Sequence, residues 1–217
     1  MTSKSLTEPP SCNHKTNRGS KVPAKIEYEV STWQIIYDML LAQAQKIQQS
    51  RYQPDVIIGI AKGGTIPTRI LSDLLEISQI TSIQIKAYRN IAEAEIEPLI
   101  TQRLTTPITD KKVLLVDDIA DSGKTLKAAK MYLQEQKAKD IKIATLYAKP
   151  TSEIEPDFYE KKTRKWVLFP WEIKETLRKI IQKSNAEQAT NEEIEKLVRA
   201  GLPKNLVEKI LTTMEEP

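Results

Sequence analysis

Two continuous apolar runs, Val56-Ile57-Ile58 and Val113-Leu114-Leu115-Val116, constrain the fold of this 217-residue chain more than any other feature. Strands that are apolar without alternation are buried on both faces, as in parallel sheets covered by helices. Segments of helical periodicity lie between such runs. Trp33, Ile36, Tyr37, Leu40, Leu41, Ala44 and Ile47 predict a helix to about Gln49. Ser31-Thr32-Trp33-Gln34 opens it as a capping box, with a hydroxyl at the N-cap and Gln34 at the third helical position. Pro54 precedes a predicted strand over 55–60, the turn Ala61-Lys62-Gly63-Gly64 follows, and a second helix is predicted over 66–75. Further strands are predicted over 80–88, 113–117, 141–149 and 166–169, with a helix over 125–136. Residues 89–109 carry Pro98 and Pro107 and are expected to form a long loop or a loose hairpin. The expected class is α/β: a mostly parallel twisted sheet with helices on both faces, plus a C-terminal helical extension.

In the extension, Thr190-Asn191-Glu192-Glu193 has the pattern of a capping box ahead of Ile194, Leu197 and Val198. Gly201 stops that helix and Pro203 starts another, carrying Leu206, Val207, Ile210, Leu211 and Met214. A basic, disordered tail is expected over 1–25, a main domain over 26–184, and a helical hairpin over 185–217 that packs on the main domain or a sister subunit.

Charge and composition exclude several functions. The tail holds Lys4, Lys15, Arg18, Lys21 and Lys25 against Glu8, which is the whole of the net charge of +4. The remainder is neutral, so the tail reads as a solvated segment rather than a nucleic-acid arm. The single cysteine (Cys12) and single histidine (His14) both fall in it. That excludes a disulfide framework, a zinc site of ordinary ligand count and a Ser-His-Asp or Cys-His arrangement. Chemistry is left to carboxylates, lysines, hydroxyls and backbone groups. No apolar stretch approaches the length of a membrane span and no secretory h-region is visible, so a cytoplasmic protein is expected.

In open α/β sheets ligands bind beyond the carboxyl ends of the strands. At one such end stands Val113-Leu114-Leu115-Val116-Asp117-Asp118-Ile119-Ala120-Asp121-Ser122-Gly123-Lys124-Thr125-Leu126. A buried strand delivers two adjacent carboxylates, and a short turn leads into a helix whose first amides suit a phosphate. The acids at 117 and 118 would repel that phosphate. They make sense as acceptors for ribose hydroxyls or as holders of a divalent cation. Gly123-Lys124-Thr125 resembles the end of a P-loop, but that motif needs a glycine where Asp118 stands. Four of the six glycines (Gly59, Gly63, Gly64 and Gly123) lie at the ends of two strands. The pair after Lys62 therefore predicts a second anion-binding turn.

Asp117 to Thr125 resembles the phosphoribosyl-diphosphate motif of type I phosphoribosyltransferases, and Ala61-Lys62-Gly63-Gly64 resembles that family's pyrophosphate loop. The resemblance implies that Asp117 and Asp118 bind the ribose hydroxyls with magnesium close by. It implies that Ile119, Ala120, Asp121, Ser122, Gly123, Lys124 and Thr125 cradle the 5′-phosphate. Leu146-Tyr147-Ala148-Lys149-Pro150 and Trp166-Val167-Leu168-Phe169-Pro170-Trp171-Glu172 are similar to the base-binding segments of archaeal-type and xanthine-guanine enzymes for 6-oxopurines. By that resemblance Lys149 contacts the purine O6, Trp166 stacks on the base, the Val167 backbone reads its edge, and Asp121 is the catalytic residue at N7. The implied reaction transfers ribose 5-phosphate from phosphoribosyl diphosphate to a 6-oxopurine in purine salvage, with Mg²⁺ as cofactor. The implied partners are small-molecule substrates and a second copy in a homo-oligomer, without nucleic acid or membrane. The loop at 89–107 departs from the Ser-Tyr opening of related enzymes. Taken singly, Trp166 and Trp171 read as core aromatics, Lys149 as a solvated strand-end lysine and Asp121 as a helix cap. Two alternatives stay open: a phosphoribosyl-diphosphate-sensing regulator acting on nucleic acid through the tail, and an enzyme for another base such as a pyrimidine. Deleting residues 1–25 separates the first of these from an enzyme, whose turnover it leaves intact.

Overall fold

The computed structural model describes residues 26–89, 96–183 and 187–215. The tail expected over 1–25 lies outside them. In chain order the elements are β1 (Tyr28–Val30), α1 (Trp33–Gln49), β2 (Val56–Ala61), α2 (Thr65–Leu74), β3 (Ile80–Arg89), β4 (Ile96–Gln102) and β5 (Lys112–Ala120). They continue as α3 (Lys124–Glu135), β6 (Asp140–Ala148), β7 (Phe158–Lys162), β8 (Trp166–Leu168), α4 (Ile173–Lys183), α5 (Glu187–Arg199) and α6 (Lys204–Glu215).

Six strands form one sheet in the order β4-β3-β2-β5-β6-β7. Every pairing is parallel except the β3–β4 hairpin. The apolar strands β2 and β5 sit side by side in the middle, Ile57 opposite Leu114 and Gly59 opposite Val116. Their position explains their composition, because both faces are covered. Successive side chains alternate between faces. Leu114 and Val116 pack under α1 and α2 with Ile36, Leu40, Ile47 and Leu71. Val113 and Leu115 pack over α3 with Leu126, Ala129 and Leu133. Burying one such side chain is worth roughly 1.5–3 kcal/mol, which makes this double-sided strand pair the anchor of the site at its end.

A third cluster joins Leu168, Ile173 and Leu177 to Leu197, Leu202 and Val207, so that α5 and α6 pack on α4 and on the two-stranded pair β1–β8. Among the described residues no helix is long and apolar enough to cross a membrane.

Several expectations are corrected. The cap of α1 is Thr32, whose hydroxyl accepts from the amide of Ile35 at 3.2 Å. Ser31 is instead buried and hydrogen-bonded to the Tyr147 hydroxyl, while Gln34 donates along the helix to Asp38. A hydroxyl pair read as one cap thus divides into a cap and a core contact. Strand β5 does not stop at Asp117: it stays paired with β6 through Ala120. Thr190 lies inside α5, which begins at Glu187, and so opens no helix. The edge strand β7 and the helix α4 are additions to the sequence reading, and residues 96–102 pair with β3 as the loose hairpin.

Candidate active site

The carboxyl ends of β2 and β5 open into one cleft of about 300 Å³. Its walls bring together five of the residues singled out from sequence: Lys62, Gly63, Asp117, Asp118 and Thr125. Trp171, Glu172 and Glu175 close the side facing the C-terminal helices, and Ile60, Ala61 and Ile85 complete the lining.

The approach of the two turns requires glycine. A Cβ on Gly63 would stand 2.4 Å from Asp118 Oδ2, and one on Gly64 would stand 2.2 Å from the Val116 carbonyl oxygen. The Lys62–Gly64 turn therefore lies directly on the acids of β5, and its Ala61–Lys62 peptide is cis. The second tight place is Gly123, at φ 81°, which ends the β5 turn and caps α3. A side chain there would meet the backbone amides of Glu153 and Ile154.

Burial dominates the electrostatics of the acids. Asp118 is pushed up to about 6 by burial, against the indole N–H of Trp171, which donates to its Oδ2 at 3.3 Å. Asp117 lies well above the usual carboxylate range, through burial and then the charge of Asp118. Glu172 is raised to about 7, again by burial first and Asp118 second. Buried carboxylates that form no ion pair among the described residues are carboxylates that a cationic ligand would stabilise. Among the described residues no group of three or more His, Cys, Asp or Glu side chains forms a ready-made metal cage. The hard oxygen donors of Asp117 and Asp118 nevertheless suit magnesium, which ordinarily keeps waters and substrate phosphates in its shell.

Trp171 is held by an aromatic tier. It stacks on Phe169 at 4.9 Å with planes 6° apart, Phe169 meets Tyr147 edge-on at 5.7 Å, and Trp33 leans on the outer side of Trp171 at 5.8 Å. Each such pair adds about 0.5–1.5 kcal/mol beyond area burial. The result is a rigid support for the Asp118 carboxylate.

The other expected residues do not line this cleft. Gly64 precedes α2, Ile119 and Ala120 belong to β5, and Asp121 and Ser122 are exposed in the turn. Lys124 begins α3. Asp121 does not cap α3, since that position is Gly123 and no side-chain cap bond is made. Lys149 and Trp166 are neighbours: the Lys149 ammonium donates to the carbonyl of Lys165. Trp166 is 51% exposed, and Val167 is buried, paired with Glu29 of β1. The Lys149 amide donates to the Ala120 carbonyl at 2.8 Å, which ties this second group to the residue before Asp121. Asp121 follows that tied residue in the chain and is exposed in the turn. Trp171, Glu172 and Glu175 are cleft residues beyond those expected from the sequence, although Trp171 and Glu172 lie in the segment that resembles a base-binding one. Their signal was proximity in sequence to Trp166.

Comparison with known proteins shows the family of the chain. Residues 29–176 match the phosphoribosyl transferase domain family. The chain is 32% identical over 120 residues to the xanthine-guanine phosphoribosyltransferase of Cereibacter sphaeroides, covering 54% of this chain and 68% of that protein. With the Gluconobacter oxydans protein of the same name, identity is 27% over 155 residues, 70% of this chain and 89% of the relative. A crystal structure of a purine phosphoribosyltransferase from Pyrococcus horikoshii superposes with a TM-score of 0.62 at 38% identity, covering 67% of this chain and 94% of that one. With strand order, paired turns and these relatives in agreement, the chain belongs to the phosphoribosyl transferase family and, within it, to the purine phosphoribosyltransferases.

Proposed function

We propose that this protein transfers ribose 5-phosphate from phosphoribosyl diphosphate to a 6-oxopurine base, releasing the nucleoside monophosphate and pyrophosphate, in cytoplasmic purine salvage. The observation that carries this reading is the single cleft in which the Lys62–Gly64 turn meets Asp117, Asp118 and the first turn of α3. Diphosphate, ribose and 5′-phosphate are each assigned a group at the ends of β2 and β5.

In this reading the two acids accept hydrogen bonds from the ribose hydroxyls, and the support of Trp171 keeps Asp118 in place. Asp117 and Asp118 would also hold magnesium, which when bound supplies the positive charge that offsets a poly-anion beside two acids. Lys62 and the amides of Gly63 and Gly64 receive the departing pyrophosphate as its charge builds. Ser122, Thr125 and the free amides opening α3 hold the 5′-phosphate. Asp121 accepts or shares the N7 proton of the base. Lys149 donates to O6, the exposed face of Trp166 receives the ring, and the Val167 backbone reads the edge.

The test is pyrophosphate release from phosphoribosyl diphosphate and guanine, hypoxanthine or xanthine. Turnover is expected with magnesium, lost in excess chelator and restored by added magnesium. Full activity in metal-stripped buffer contradicts the assignment of Asp117 and Asp118.

A further inference from the structure

Among the described residues lining the cleft, Lys62 is the only cation, set against Asp117, Asp118, Glu172 and Glu175. Its ammonium is already engaged. It donates to Glu175 Oε2 at 3.0 Å, while the other oxygen of the same carboxylate pairs with Lys179 at 2.8 Å. Glu175 lies in the first turn of α4, in the part of the molecule that packs with α5 and α6. A helical carboxylate from outside the sheet thus reaches the one ammonium that the diphosphate would use.

We propose that Glu175 is a built-in competitor for the diphosphate, its carboxylate occupying the anion position at Lys62 until the sugar donor displaces it and returning as pyrophosphate leaves. This rests on the reading of the Lys62–Gly64 turn as the diphosphate subsite. Three features make the exchange workable. The Lys62 and Glu175 side chains are 81% and 46% exposed, and exposed pairs of this kind hold by no more than about fivefold in a binding constant. Displacement leaves Glu175 with a partner, because Lys179 stands four residues along the same helix. Lys179 first and Lys62 second hold the Glu175 carboxyl down at about 2, so a competing anion rather than a change of pH opens the contact.

The competitor speeds the last step at the expense of the first. Removing its charge should tighten diphosphate binding and slow pyrophosphate release, so KM for phosphoribosyl diphosphate falls, and kcat falls with it when pyrophosphate release limits turnover. A residue serving only to support α4 would not produce that combination.

The experiment measures binding of inorganic pyrophosphate with magnesium, by titration calorimetry at low salt, to the full chain and to Glu175→Gln, Lys62→Ala and the double variant. Thermal melts accompany each variant as a check on folding. Glu175→Gln should tighten pyrophosphate by about two- to fivefold in the wild-type background and change nothing in the Lys62→Ala background. Unchanged or weaker binding by Glu175→Gln overturns the proposal. Equal tightening in both backgrounds also overturns it, since Glu175 would then act by general repulsion and not through Lys62. Lys62→Ala that binds pyrophosphate as well as wild type overturns the proposal, since the ammonium that Glu175 covers is then not used. Wild-type protein that ignores pyrophosphate removes the diphosphate subsite itself and with it the functional reading of that turn.

Discussion

At Gly63 the space between backbone and carboxylate is smaller than a methyl group. A Cβ there must move Asp118, whose Oδ2 it would approach to 2.4 Å, off the Trp171 indole. Gly63→Ala is expected to lower kcat/KM for phosphoribosyl diphosphate by tenfold or more, with a stability cost on the order of 1–3 kcal/mol. Wild-type kinetics in that variant would mean the two turns do not form one site. Asp121→Asn asks a different question, since the amide keeps the size of the carboxyl but cannot take a proton. The expected result is a large fall in kcat with little change in the affinity for phosphoribosyl diphosphate. A near-normal kcat would remove Asp121 from the chemistry. Residues such as Asp117, Asp118, Lys62 and Gly63 were legible in the sequence because each follows directly on an apolar run that marks a buried strand. Trp171 and Glu172 were not. They follow β8, which pairs with β1 outside the six-stranded sheet, and only folding shows that the Trp171 indole points at Asp118.

At the scale of elements, the end of β5 stores protons. Asp118 at about 6 and Glu172 at about 7 keep protons that an unfolded chain releases near pH 4. Between about pH 4 and 7 the native state therefore binds more protons than the unfolded state, and these groups make stability fall as pH rises through that window. Asp118→Asn removes the burial penalty of the charged form while keeping an acceptor for Trp171. Its gain in unfolding free energy over wild type should be larger at pH 8 than at pH 5, by an amount on the order of 1–3 kcal/mol. An equal gain at both pH values would contradict the cause assigned to the raised acid. Element recognition from sequence worked where periodicity was strong, as in α1 and α3. It failed for β7, Phe158–Lys162, a short edge strand whose Phe-Tyr-Glu-Lys-Lys composition has neither an apolar run nor a clean alternation. The reading stopped β5 early for a related reason: acids at 117 and 118 look like a turn, yet the ladder with β6 continues past them.

At the scale of the molecule, the sheet carries two cores and the C-terminal helices carry a third. Leu197 is fully buried among residues of β8, α4 and α6. Leu197→Ala should cost about 2–5 kcal/mol, read as a single lowered melting transition of the whole chain. A separate early transition that leaves the main melt unmoved would make α5 and α6 an independent unit.

The central claim concerns the base. An ammonium only donates, so Lys149 can bond the O6 carbonyl of guanine, hypoxanthine or xanthine but opposes the amino group of adenine. Sites built around a substrate hydrogen bond reject the mismatched analogue by about 10⁴ or more. The direct measurement is kcat/KM for guanine, hypoxanthine, xanthine, adenine and uracil with saturating phosphoribosyl diphosphate and magnesium. Turnover is expected with at least one 6-oxopurine, essentially none with adenine or uracil, and a narrowed gap to adenine in Lys149→Gln. Adenine used as well as guanine by the wild-type protein would contradict it.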